Sequence, residues 1–298
     1  SKSLPAFAGV QVLEAFDAAA GTYTVRPART AVTVRQLLTH TSGLGYGFTS
    51  ATTRDFKPKA GDSFTVGPLM FDPGTQWLYG TSTDWVGRLV ETVSGESLED
   101  YFKTHITGPL GMTDTAFNLP ASVQPRLVNN WRRDQAGALT EQPRTAPPVA
   151  TQFNGGGGLS STAADYLRFV RMLLNDGEDR GSGKRIVAAA TVAEMSRNQM
   201  AAVSARALKT ALPGQSADFS FINDGKDKWG LGFLISVAPA PGRRSPGSLS
   251  WGGINNTYFW IDRTRGIGGV IMMQFLPFAD QKALAVYDAF ERAVYAMP

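Results

Sequence analysis

Thr257-Tyr258-Phe259-Trp260-Ile261-Asp262 is followed, after a short connection, by Gly268-Gly269-Val270-Ile271-Met272-Met273-Gln274-Phe275. Both runs are rich in aromatic and β-branched residues, and Gly and Arg separate them, so they are expected to pair as an antiparallel hairpin. A third such run, Trp229–Val237, lies upstream, and the chain closes on an amphipathic helix from about Ala279 to Ala296. The sequence before these runs is punctuated differently. Thr33-Val34-Arg35-Gln36 spells a capping box, which opens a helix ending near His40. Trp85, Val86, Leu89, Val90 and Val93 share one helical face, with Gly95 placed to stop it. Ser97 with Asp100 caps a short helix, Tyr101–Ile106. Thr162 with Asp165 caps a longer one with an apolar stripe of Tyr166, Val170, Leu173 and Leu174, and Thr191 with Glu194 starts another. Short helices followed by antiparallel strands and a terminal helix predict an α+β fold, a helical domain packed on an antiparallel sheet flanked by helices. The expected divisions are a mostly helical region at 1–205, a linker or loop at 206–227, and strands plus the terminal helix at 228–298.

Composition narrows the function classes. The 298 residues are 43% hydrophobic and 18% charged, which fits a chain with a packed core and excludes disorder. The longest strongly apolar stretch, Gly268–Leu276, falls well short of the ~18–20 residues that a membrane-spanning helix needs. No cysteine is present, which removes disulfides, thiolate metal sites and cysteine nucleophiles. His40 and His105 are far apart in sequence with no carboxylate cluster around either, so no metal site is expected. The net charge of +4 is the excess of 29 scattered basic residues over 25 acidic ones, with no basic helix or aromatic-basic alternation to bind nucleic acid.

Common catalytic signatures are missing. There is no G-x-S-x-G elbow, no P-loop and no H-E-x-x-H. Gly43, Gly45 and Gly47 have G-x-G-x-G spacing but follow a helix and not a strand, too weak a pattern for a nucleotide site. Gly155–Gly158 reads either as a loop in close contact with something or as a plain flexible turn. Asn154, just before it, is a candidate substrate contact.

Three segments carry more. They are Leu37-Leu38-Thr39-His40-Thr41-Ser42-Gly43-Leu44; Asp72-Pro73-Gly74 with Tyr79-Gly80-Thr81; and Ser250-Trp251-Gly252-Gly253-Ile254. Together with Pro109-Leu110-Gly111-Met112, Gly157–Ala163 and Gly230-Leu231-Gly232-Phe233 they resemble the serine hydrolases of the class C β-lactamase fold. The resemblance is to the carboxylesterase branch (family VIII), whose third motif is Trp-Gly-Gly instead of Lys-Thr-Gly. It spans nearly the whole chain.

The resemblance implies acyl transfer through a serine ester intermediate on short-chain carboxylic esters, a small-molecule substrate, and no cofactor or metal. Tyr79 is the implied proton-transfer tyrosine, with an ammonium beside it to lower its pKa. The Ile254 N–H is the implied oxyanion donor from the third strand. Gly252 and Gly253 would let that strand approach the substrate, and Trp251 would line the acyl pocket. Thr81 stands where lactamases of this fold tend to carry Asn, which favours esters over the alternatives, a β-lactamase or a D-amino-acid peptidase. Read alone, Tyr79 and Trp251 are equally at home as core aromatics, and His40 suits a structural role, bonding the carbonyls at its helix end.

One departure is sharp. No serine in the 298 residues is followed three places later by lysine, whereas the family's nucleophile lies in Ser-x-x-Lys at the start of a helix. Ser1-Lys2-Ser3-Leu4-Pro5-Ala6-Phe7 resembles the stretch that follows that helix. The N-terminal strands and nucleophile helix are therefore expected outside this chain: on a separate N-terminal fragment, removed by processing, or on residues beyond these 298. A non-catalytic binding or sensing module of the same fold is the competing reading.

Overall fold

Alternation along Thr257–Asp262 sets the layering. In this computed structural model, which describes residues 4–143, 148–219 and 226–298, that strand is second in a five-stranded antiparallel sheet. The order is Ile267–Ile271, Thr257–Asp262, Leu249–Gly253, Leu234–Ile235, Lys228–Trp229. The expected hairpin is present, with Phe259 opposite Val270 and Trp260 opposite Gly269. Side chains two apart share a face. Tyr258 and Trp260 therefore enter one core with Ala283, Tyr287 and Tyr295 of the terminal helix. Phe259 and Ile261 enter the other, against Val170 and Leu173 of the Ala163–Leu174 helix. The result is helix, sheet, helix. Burying each such side chain contributes about 1.5–3 kcal/mol, so this strand anchors both halves of the core.

The terminal helix runs Gln281–Ala296. It begins after Ala279, whose φ of +58° is not helical, and Asp280 caps it by accepting from the Lys282 and Ala283 N–H groups. Its buried face carries a charge, because Glu291 is fully enclosed. Glu291 accepts from Arg244 Nε at 2.8 Å and Nη2 at 2.7 Å, and from Arg243 Nη2 at 2.9 Å. Burial pushes the Glu291 pKa up, but the two guanidinium groups reverse this and hold it at about 2.

Several local expectations change. The Trp229–Val237 run is two short strands, Lys228–Trp229 and Leu234–Ile235, because Gly232 at φ +92° turns the chain between them. The last strand stops at Ile271, and Phe275–Leu276 pairs instead, in parallel, with Trp131–Arg133. Thr191 caps nothing: the helix is Ala189–Met195, and Thr191 lies inside its first turn. Ser97 does cap, but its helix starts at Leu98 and passes at Phe102 into a π-turn, Lys103–Thr107. The largest difference is an antiparallel hairpin, Gln11–Asp17 with Thr22–Pro27, in a region read as helix and loop. In the 206–227 stretch, of which 220–225 lie outside the described residues, Leu208 and Phe219 pair through their backbones and are buried in the core.

Candidate active site

The first motif forms its helix for the expected reason. Thr33 and Gln36 close a reciprocal capping box at the start of Val34–Leu38. The chain then turns through His40, at φ +54°, and runs beside the second motif. The His40 carbonyl accepts from Leu78 N–H at 2.9 Å, and Thr41 O accepts from Gly74 N–H at 2.7 Å. Deeper in, the Ser42 and Ser82 hydroxyls bond at 2.9 Å. Gly80 tolerates no side chain, since a Cβ there would lie 2.2 Å from Leu44 O. Asp72 fastens the N-terminal hairpin to this pair of segments. It accepts from both Arg26 Nη atoms, at 2.9 and 2.7 Å, and from Arg29 N–H, and these bonds hold its carboxyl at about 2.

His40 is structural, as expected, but by another route. Among the described residues its ring bonds no helix-end carbonyl. Instead Nδ1 accepts the Gly80 N–H at 3.4 Å, and the ring lies 4.5 Å from that of Tyr79 and 5.2 Å from that of Trp229. Complete burial lowers its pKa to about 3, so the imidazole stays neutral and keeps its acceptor. Trp229 ties the third region to the first, donating its indole N–H to Leu38 O at 3.1 Å.

Tyr79 is the meeting point. Its ring is ringed by His40, by Tyr46 at 5.4 Å, by Trp229 at 6.4 Å and by Trp251 at 4.7 Å. The indole N–H of Trp251 donates to the Tyr79 hydroxyl oxygen at 3.0 Å. Burial raises the Tyr79 pKa, the Trp251 N–H opposes that, and the Asp84 carboxylate adds to the rise. The lysine whose ammonium is expected beside Tyr79 belongs to the Ser-x-x-Lys that these 298 residues do not contain. From the groups of this chain alone the net direction is a rise, and the phenol is neutral.

The other predicted residues divide. Trp251 is brought onto Tyr79 and also packs edge-on to Trp229 at 4.6 Å, so it is a core aromatic and a neighbour of the phenol at once. Gly252 and Gly253 are also short of room within their own sheet. A Cβ at Gly252 would lie 2.7 Å from the Tyr258 ring, and one at Gly253 would lie 2.5 Å from Thr257 Oγ1. Ile254 follows in the turn to Asn256 with 42% of its surface exposed, and its N–H donates to no acceptor among the described residues. Asn154 stands at the exposed head of the glycine loop. The contact with the Tyr79 neighbourhood is made by Gly156, whose N–H donates to Asp84 at 2.8 Å. The glycine run is thus a close-contact loop.

Sequence reasoning missed Tyr46, Asp84 and Trp229. Tyr46 was hidden inside a glycine pattern dismissed as a nucleotide signature. No sequence pattern singled out Asp84, and Trp229 stood in a run read only as strand.

Residues 13–292 match the Beta-lactamase family. The chain is 31% identical over 314 residues to the acyltransferase calJ of Penicillium decumbens, covering 99% of this chain and 73% of that protein. It is 30% identical over 294 residues to the lovastatin esterase of Penicillium rubens, covering 90% and 70% respectively. Among solved structures it is similar to simvastatin synthase from Aspergillus terreus (the LovD6 mutant), with a TM-score of 0.79 at 29% identity over 98% of this chain and 74% of that one.

Proposed function

Since the chain belongs to the Beta-lactamase family, we propose that it is the larger part of a serine acyl-transfer enzyme cleaving short-chain carboxylic esters. One observation carries this reading: the Trp-Gly-Gly motif delivers its indole N–H to the hydroxyl of the tyrosine motif at 3.0 Å. A neutral donor there stabilises negative charge developing on the phenol oxygen without supplying the full cation that an anionic β-lactam would favour.

The serine and lysine are expected in a Ser-x-x-Lys outside these 298 residues. The serine Oγ attacks the ester carbonyl carbon, and its proton passes by way of Tyr79 to the departing alkoxide, which leaves as an alcohol. Water then attacks the acyl-serine, releasing the acid and restoring the hydroxyl. The unpaired Ile254 N–H is suited to the oxyanion in both steps, where a fixed donor is worth several kcal/mol. The names of the relatives, an acyltransferase and an esterase, support two acceptors for the acyl group: an alcohol in place of water gives transfer instead of hydrolysis.

Intact mass spectrometry of the protein from its natural source, together with any polypeptide that copurifies with it, after a serine-reactive fluorophosphonate tests this, alongside turnover of an aryl ester and a cephalosporin. A phosphonyl adduct with turnover of the aryl ester alone supports the reading. Faster cleavage of the cephalosporin makes the protein a lactamase or peptidase. No adduct and no turnover make it a non-catalytic module of the same fold.

A further inference from the structure

Asp84, which lies in the first turn of the Ser82–Ser94 helix, takes no part in the acyl-transfer steps proposed above. One carboxylate oxygen accepts the Gly156 N–H at 2.8 Å, and the other accepts from the Tyr46 hydroxyl at 3.4 Å. The fit leaves no slack. A Cβ on Gly156 would lie 2.7 Å from Tyr46 Oη and 2.8 Å from Asp84 Oδ1, and one on Gly155 would lie 2.1 Å from Thr83 O. From the helix side, a Cβ on Gly87 would lie 2.9 Å from Gly155 N. Helix and loop therefore meet backbone to backbone, which only glycine permits. Tyr46 in turn stacks on Phe48 at 5.1 Å and abuts Tyr79. Loop, Tyr46 and Tyr79 stand in a row, and Asp84 holds the first two together.

We infer that Asp84 is a positioning residue: its carboxylate clamps the Gly155–Gly158 loop to Tyr46, and the clamped pair, standing against Tyr79, forms one wall of the space an ester would occupy at that hydroxyl and so sets the size of ester admitted. This rests on the ester chemistry proposed above. The physical reason is entropic. Four consecutive glycines have more conformations to lose than any other tetrapeptide, so an exposed loop of them keeps one shape only when it is tied. An untied loop opens the wall and blurs discrimination between short and long acyl groups, because a small misplacement near the reacting atoms is costly for the preferred substrate.

The test has two readouts, one independent of turnover. In the 298-residue chain, amide hydrogen exchange at Gly156 is expected to speed up by about tenfold or more in Asp84→Ala. It is expected to stay near the parent rate in Asp84→Asn, whose amide oxygen accepts the same bond. In the ester-cleaving protein, the ratio of kcat/KM for an aryl acetate over an aryl octanoate is expected to shrink about tenfold in Asp84→Ala, chiefly through KM, and to be restored in Asp84→Asn. Should Asp84→Ala fail to fold, Tyr46→Phe keeps the ring, drops the hydroxyl and is expected to narrow the ratio about threefold. Unchanged Gly156 exchange in Asp84→Ala overturns the clamp. A ratio within about twofold of the parent, or an Asn variant as impaired as the Ala variant, overturns the size-setting role. If no preparation cleaves esters, the functional reading falls and takes the size-setting role with it, while Gly156 exchange still decides the clamp.

Discussion

Trp251→Phe isolates the contact on which the functional reading depends. Phenylalanine keeps an aromatic ring against Trp229 and Phe219 but has no N–H to give Tyr79. Against a neutral phenol, a bond of this kind contributes about 1 kcal/mol, roughly fivefold in rate. Against a phenol oxygen acquiring negative charge, the same donor is charge-assisted and contributes about 1.5–3 kcal/mol, or roughly 10- to 150-fold. Proton transfer through Tyr79 puts charge on that oxygen in the transition state, so kcat/KM for an aryl ester is expected to fall by 10-fold or more, on the order of the charge-assisted range. The sign of the pH effect follows from the same contact. The Trp251 N–H works to lower the Tyr79 pKa, so its loss raises that pKa further and moves any limb of the pH–rate profile that reports the phenolate to higher pH. The assay is steady-state hydrolysis between pH 6 and 10 for Trp251→Phe, Tyr79→Phe and the double variant, with thermal unfolding as a check on packing. If the residues act as a pair, the double variant is no slower than Tyr79→Phe alone. A Trp251→Phe enzyme within twofold of the parent, or fully additive losses in the double variant, would refute the reasoning.

Three further outcomes follow from the geometry. Tyr79→Phe is expected to lower acylation by about 10²-fold, the usual scale for a general acid–base group, and pre-steady-state kinetics with an aryl ester reads it directly. Glu291→Gln removes one partner of a buried ion pair and is expected to cost about 3–5 kcal/mol at pH 7 by urea unfolding. Because Glu291 is held at about 2 against an ordinary 4.5, its stabilisation is complete above pH 4.5 and fades as pH falls towards 2. The gap between parent and variant should therefore close over that window, and a gap independent of pH would reject the linkage. Gly252→Ala drives a methyl group to 2.7 Å from the Tyr258 ring, so it is expected to destabilise by about 1–3 kcal/mol through overpacking, visible as a lowered Tm.

Much of this protein is legible from local pattern. The capping box at Thr33, the helix ended by Gly95, the hairpin from Thr257 to Ile271 and the terminal helix all follow from rules that act within a few residues. Tyr79 and Trp251 were singled out because their flanking residues resemble a known family's motifs. The N-terminal hairpin was not found. Its strands are as long as those of the legible hairpin, but the register shifts between Leu13 and Ala15 and breaks the alternation, and what holds it is distant, the Arg26–Asp72 pair and the bridge from Val12 to Leu69.

What the sequence by itself determined is the class of fold and the chemical type of the residues at its motifs. Tertiary structure alone decided how they act. It set Trp251 on Tyr79 across 172 residues of chain and left Gly252 short of room beside the Tyr258 ring. It also made Asp84 the tie between a glycine loop and Tyr46. Periodicity and capping report forces between near neighbours along the chain. A phenol's environment is set by whichever groups packing brings within a few ångströms, and nothing in local spacing encodes that distance.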